Sequence, residues 1–257
     1  MASMEIDGAR PGVALPEDTL LGKPFRCERV GPSDDQPQRR IYIALHNDYS
    51  EDFVSSTDLS EDECGRIAVR RLLHGGRGHF GPLEHAHLTV ALRVDHNTVV
   101  QLRTHRIASF DVQSNRYTGQ RFIDVAEGRR WVGDEFHFRP PGRYSDRQGD
   151  PYCWSDLENR RLAVLYRNAC HQYRELRQRG VAEEHARQVL PGAYMQNMVV
   201  TMNARMWLHL LDVRLKPDAQ QEIRWAMELL VDQVKRWIPE IAAWWVEHRQ
   251  GRGRLAP

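Results

Sequence analysis

Apolar residues at Leu88, Val90, Leu92 and Val94, with His87, Thr89 and Arg93 between them, alternate as in a half-buried strand over 86–94. Elsewhere the apolar period is helical. Ser60 followed by Glu61, Asp62 and Glu63, then Ile67, Val69, Leu72 and Leu73, predicts a capped helix over 60–74, ended by Gly75 and Gly76. Ser155 or Asp156 caps a second helix reaching about Arg179, with Leu157, Leu162, Leu165 and Tyr166 on one side and Gly180 at its end. A short helix covers 182–189 before Pro191 breaks the chain. Longer helices are expected at 193–214 and 218–237, divided by the Lys216-Pro217 step. The Pro, Gly and Asp of 135–152 read as a long surface loop. Residues 1–38 read as an extended N-terminal arm with one short strand near Phe25 to Val30. Nothing repeats and no composition break divides 39–257, which predicts a single α/β (α+β) domain with a helical C-terminal half.

The chain of 257 residues is long enough to bury a full core, and its 41% apolar content fits a water-facing globular protein. No run approaches the roughly 20 apolar residues of a membrane-spanning helix. The first 25 residues lack the basic-then-apolar order of a signal peptide, so a cytoplasmic location is expected. Cys27, Cys64, Cys153 and Cys170 are scattered without a CxxC, which suits reduced thiols better than a zinc site. Net charge is +1, which argues against a nucleic-acid polymer as partner. Only Lys23, Lys216 and Lys235 are lysines; every other fixed cation is an arginine, whose planar fork suits phosphate and carboxylate.

The densest chemistry lies in QLRTHRIASFDVQSNRYTG, from Gln101 to Gly119. Arg103, His105, Arg106 and Arg116 are interleaved with Gln101, Thr104, Ser109, Gln113, Ser114 and Asn115, against the one acid Asp111. Such an excess of donors suits an anionic ligand, while a charged surface helix packing by its arginine stems is the plainer alternative. Asn203, Arg205, His209 and Arg214 recur on the expected 193–214 helix, where Arg205 and His209 are four apart and Asn203 and Arg214 lie about three turns apart on roughly one face. His79, His85 and His87 could bind a metal, but no thiol stands near them in sequence, and no metal is expected.

These blocks carry a resemblance. Flavin-dependent thymidylate synthases have an Arg-His-Arg, seven residues, Ser signature preceded by Gln and followed two residues later by Arg. Gln101, His105-Arg106, Ser114 and Arg116 reproduce it, with Thr104 in place of the first Arg and Arg103 one position earlier. GHFGPLEHAHLTV at 78–90, ARQVLP at 186–191 and TMNARMWLHLLDVRLKPDAQQEIR at 201–224 are similar to further family blocks in the same order. The resemblance implies the thymidylate synthase-complementing-protein fold, with a central mixed or antiparallel sheet and a C-terminal half of long helices. It implies methylation at C5 of a uridine monophosphate, dUMP to dTMP or, as in polyoxin-type relatives, UMP to 5-methyl-UMP. FAD would be the cofactor, with NADPH and methylenetetrahydrofolate as co-substrates, in a homotetramer whose subunits share active sites. Carried over by position, Gln101, Arg103, Thr104, Gln113, Ser114, Asn115, Arg116, Arg187 and Arg214 would bind the nucleotide, Arg214 as the catalytic group favouring the anionic uracil. His85, His87, Arg103, His105, Arg106, Asn203, Arg205 and His209 would hold flavin or folate. The rival readings are an arginine-rich RNA-binding module and a histidine-metal hydrolase.

Overall fold

A computed structural model of the chain describes residues 25–31, 35–74, 79–146 and 148–252. Its strands are β1 (Arg26–Arg29), β2 (His87–Asp95), β3 (Ser109–Val112), β4 (Gly142–Ser145), β5 (Pro151–Trp154) and β6 (Met195–Asn203). Its α-helices are α1 (Pro37–Asn47), α2 (Glu61–Ala68), α3 (His96–Leu102), α4 (Asn115–Thr118), α5 (Gln120–Ala126), α6 (Val132–Glu135), α7 (Asp156–Gln178), α8 (Glu183–Ala186), α9 (Ala204–Arg214), α10 (Gln221–Trp237) and α11 (Pro239–His248). The main sheet runs β1-β2-β6-β3, antiparallel throughout, and β4 pairs with β5 in a separate hairpin.

The central pair β2 and β6 is matched along its whole length, from His87 opposite Asn203 to Asp95 opposite Met195. Leu88, Val90, Leu92 and Val94 face the same core as Met198, Val200 and Met202. Residues of α9, α10 and α11, among them Trp207, Leu211, Met227, Leu230 and Trp245, close that core. Each large side chain so buried contributes roughly 1.5–3 kcal/mol. Two indoles keep their hydrogen bonds, Trp207 Nε1 donating to the Leu88 carbonyl at 3.1 Å and Trp245 Nε1 to Asp212 Oδ1 at 2.7 Å, whereas Nε1 of Trp237 and of Trp244 is buried without a partner among the described residues. Trp237 and Trp245 near the C-terminus are thus buried in this core, with Trp244 partly buried against it. A second core joins α5, α6 and α7 through Phe122, Phe136, Tyr166 and Tyr173.

Several sequence expectations are met and several are corrected. Ser60 and Glu63 form a reciprocal capping box on α2, which passes into a π-helical turn at Val69–Leu73. The expected stop at Gly75 and Gly76 lies outside the described residues. The short strand in the arm exists as β1 and forms an edge of the main sheet. Helix α1 buries Ile41 and Leu45, and its first turn is closed from the next helix by Glu61, whose carboxylate accepts from Gln38 N at 2.6 Å and Arg39 N at 2.9 Å. The expected 193–214 helix is instead a strand followed by a helix. Met195, Met198 and Met202 mimic a helical stripe, but the chain buries Met198, Val200 and Met202 in alternation between two strands. The 135–152 loop contains the β4–β5 hairpin, whose Tyr144 and Trp154 rings flank the Arg139 guanidinium at 4.9 and 5.6 Å. On α7 the buried side is Asn159, Ala163, Tyr166, Cys170 and Tyr173, while Leu157 and Leu165 are exposed.

Candidate active site

The site residues gather in two groups. The first forms where α3 ends near the last turn of α9. Arg214 Nε donates to His105 Nε2 at 3.0 Å, and its Nη2 reaches the Gln101 carbonyl at 3.4 Å and Thr104 Oγ1 at 3.2 Å. The Thr104 hydroxyl in turn donates to the Gln101 carbonyl at 2.7 Å. Because His105 Nε2 accepts here, the imidazole is neutral with its proton on Nδ1. Burial, then Arg214 and His209, push its pKa down to about 4. The His209 ring lies edge-on to that of His105 with centroids 6.1 Å apart. Arg214 keeps Nη1 without a partner among the described residues, a fixed donor available to a ligand. Thr104, standing where the family signature has arginine, thus touches the Arg214 guanidinium, whereas Arg103 and Arg106 are exposed beside it.

At the opposite end of α9 from Arg214, the junction of β6 and α9 carries further expected cofactor residues. Asn203 ends β6 and caps α9, its Oδ1 accepting from Met206 N at 2.9 Å, which leaves its Nδ2 as a donor. It pairs across the sheet with exposed His87. Arg205 Nη1 meets Glu84 Oε1 at 2.6 Å, one residue before His85. The capping position, rather than a place inside a long helix, is what brings Asn203 to this end of the sheet.

The second group sits at the far end of β3. Gln113 is tied to β6 through its backbone and side chain, accepting from Gln196 Nε2 at 2.8 Å and from Asn197 N at 3.2 Å. Ser114 caps α4, accepting from Arg116 N at 3.3 Å. Arg116 lies 4.0 Å from Glu184 on α8, immediately before exposed Arg187. The backbone N–H of Glu184, with Arg116, His185 and Arg187 around it, holds its carboxyl below the usual range, so both guanidiniums lie near one acidic group. Behind them is a buried network that the sequence did not disclose. Arg121 Nη2 donates to Asn115 Oδ1 at 2.9 Å, and its Nη1 to Glu135 Oε2 at 2.8 Å and to the Met195 carbonyl at 2.6 Å. Arg130 reaches the other Glu135 oxygen at 2.6 Å. Gly119 is required after α4, because a Cβ there would lie 2.0 Å from Tyr173 Oη.

No hydrogen bond or ion pair among the described residues links Ser114, Arg116 or Arg187 to His105 or Arg214. The four residues of β3 alone carry the chain roughly 13 Å between the groups. His79 is apart from both, paired with Asp48 at 2.7 Å, and no cluster of three or more His, Cys, Asp or Glu placed to hold a metal occurs among the described residues. Burial pushes the thiols of Cys27 and Cys170 up to about 12 and that of Cys64 up to about 11, so none is a nucleophile at neutral pH. No helix among the described residues is long and apolar enough to cross a membrane.

Forked guanidiniums at one end and a guanidinium held by an imidazole at the other can bind and polarise an anionic ligand on an α/β scaffold. Residues 32–240 match the family model described as thymidylate synthase complementing protein, and the chain belongs to that family. The flavin-dependent thymidylate synthase of Halobacterium salinarum is 34% identical over 252 residues, covering 89% of this chain and 99% of its own. That of Haloarcula marismortui is also 34% identical, over 87% of this chain and 96% of its own. Among solved structures, the UMP/dUMP methylase PolB from Streptomyces cacaoi bound with 5-Br UMP superposes with a TM-score of 0.69 at 23% identity, covering 93% of this chain and 100% of that one. Its complex with 5-Br dUMP gives 0.70 at 24% identity, with 92% and 99% covered. These structures share the fold.

Proposed function

We infer that this chain is a methyltransferase that builds a methyl group on C5 of a uridine monophosphate, dUMP or UMP, with a flavin as its redox partner. Family membership and near full-length relatives named flavin-dependent thymidylate synthases support the reading. The observation that carries it is the Arg214 guanidinium, held in place by His105, Thr104 and the Gln101 carbonyl with Nη1 left open.

In this reading Arg214 faces the pyrimidine edge and stabilises the negative charge that makes C5 nucleophilic. His105, being neutral, orients that charge without opposing it. Ser114, Arg116 and Arg187 take the phosphate, with Gln113 and Asn115 shaping the loop that presents them. The donors at the β6–α9 junction fit a flavin: Arg205 suits a diphosphate, and Asn203 Nδ2 and His209 suit polar ring edges, with His85, His87, Arg103 and Arg106 around them. When bound, the flavin supplies the hydride that completes the methyl group. FAD is the proposed flavin, NADPH its reductant and methylenetetrahydrofolate the carbon donor, in the cytoplasm. Because β3 separates the phosphate group from the Arg214 group, the complete site is proposed to form in a homotetramer, where one copy's phosphate group faces another copy's Arg214.

Tritium release from C5-labelled dUMP and UMP tests the proposal. Release that requires FAD, NADPH and methylenetetrahydrofolate together is expected, and the faster nucleotide is the substrate. Absence of release from both would overturn it.

A further inference from the structure

Gln101 is the near end of a polar relay. Its Nε2 donates to Gln220 Oε1 at 2.6 Å, and Gln220 Nε2 donates to Glu222 Oε2 at 2.8 Å. Glu222 is buried at 5% exposure, and its other oxygen accepts from Arg139 Nε at 3.2 Å and from Arg139 Nη2. Burial alone would raise the Glu222 carboxyl, but His137 at 3.7 Å, Arg139 and Gln220 outweigh it and bring it down to about 2. The relay borders a cavity of about 530 Å³ lined in part by Gln101, Tyr144, Tyr152, Gln220 and Arg224, so there is room for a ligand beside it.

An ionised carboxylate can only accept hydrogen bonds, and this sets the direction of every bond beyond it. Gln220 must turn its NH2 to Glu222 and its oxygen to Gln101. Gln101 must answer with its own NH2. Its Oε1, which receives no hydrogen bond from any described residue, is left for a ligand. Turning Gln101 over would set two amide oxygens against each other, and turning Gln220 as well would set an oxygen against the carboxylate. Either arrangement sets acceptor against acceptor and loses a hydrogen bond, which disfavours it even though Gln220 is exposed.

We propose that Gln220, fixed by Glu222 and Arg139, is a positioning residue that makes Gln101 present an acceptor, so that the site selects a nucleotide carrying a hydrogen-bond donor there. This rests on the uridylate methylase reading above. The imide N3–H of uracil and a sugar hydroxyl both supply such a donor; cytosine has an acceptor at N3 and is repelled.

The test uses the enzyme with its flavin, as wild type, Gln220→Met and the double variant Gln220→Glu/Glu222→Gln, and compares dUMP with dCMP and with 2′,3′-dideoxyuridine monophosphate by binding, and dUMP turnover by kcat and KM. In the double variant the glutamate at position 220 still offers Gln101 an acceptor and the glutamine at 222 can donate to it; methionine offers nothing. Gln220→Met is expected to raise KM for dUMP with kcat within about twofold and to narrow one of the two preferences about tenfold, the size of one lost hydrogen bond. The double variant Gln220→Glu/Glu222→Gln should keep both preferences. Narrowing against dCMP identifies the base N–H as the donor, and narrowing against the dideoxy analogue identifies the sugar hydroxyl. Unchanged preferences in Gln220→Met, or equal loss in the double variant, overturn the inference while dUMP turnover leaves the proposed function standing. A wild-type enzyme that binds no uridine monophosphate removes both.

Discussion

The two ends of β3 achieve rigidity in opposite ways. At the Arg214 end the groups proposed to face the pyrimidine hold one another: guanidinium on imidazole, on hydroxyl and on carbonyl. At the Ser114 end the cations proposed to grip the phosphate are exposed, and order comes from behind, through the buried Arg121–Glu135 pair and its bond to Asn115. A group expected to steer charge in a pyrimidine needs a fixed angle, which direct contacts provide. Groups expected to grip a phosphate need only converge on it, so a rigid loop with free guanidiniums is enough.

The contrast can be broken most forcefully from behind. Arg121→Ala leaves Glu135 buried with only half-exposed Arg130, and should cost about 3–5 kcal/mol in stability. Denaturant melts will read this, and an unchanged midpoint would show that the network does not hold α4. Arg214→Ala should do the reverse, lowering kcat/KM by about 10²–10³-fold with little change in melting. Arg116→Ala and Arg187→Ala should act more mildly, raising KM for the nucleotide by roughly 10- to 100-fold with kcat less affected, the range for a lost charged hydrogen bond. The smallest effect concerns pH. Since the His105 pKa falls from 6.5 unfolded to about 4 folded, its contribution to stability is complete above pH 6.5 and is lost as pH falls toward 4. His105→Asn should flatten that part of the stability profile.

What was legible in the sequence follows from how local its cause is. Strand β2 showed itself by alternation, and α2 and α7 by Ser-x-x-Glu caps, because these signals lie within a few residues. The β6 strand was hidden because methionine serves both periods, and only its pairing with β2 and β3 decides between them. Helix α1 was hidden because its cap, Glu61, belongs to another helix. Within the site, Gln101, His105, Ser114 and Arg116 were visible as members of a signature, and Arg214 as part of the separate block at 201–224. Arg121, Glu135, Gln220 and Glu222 were not, since each is defined by a partner that only folding brings near. The place of Thr104 likewise needed coordinates: its hydroxyl, not the Arg103 side chain, meets Arg214.

That the Arg214 group of one copy completes the phosphate group of another is tested most directly by mixing two crippled variants. With the nucleotide held well below the wild-type KM, Arg214→Ala and Arg116→Ala are each expected to turn over at least about tenfold more slowly than wild type as pure oligomers. After subunits are exchanged, mixed assemblies contain sites with both arginines intact, and tritium release should rise well above that of either parent. Exchanged assemblies, verified by mass, that stay as inactive as their parents would contradict a site shared between copies.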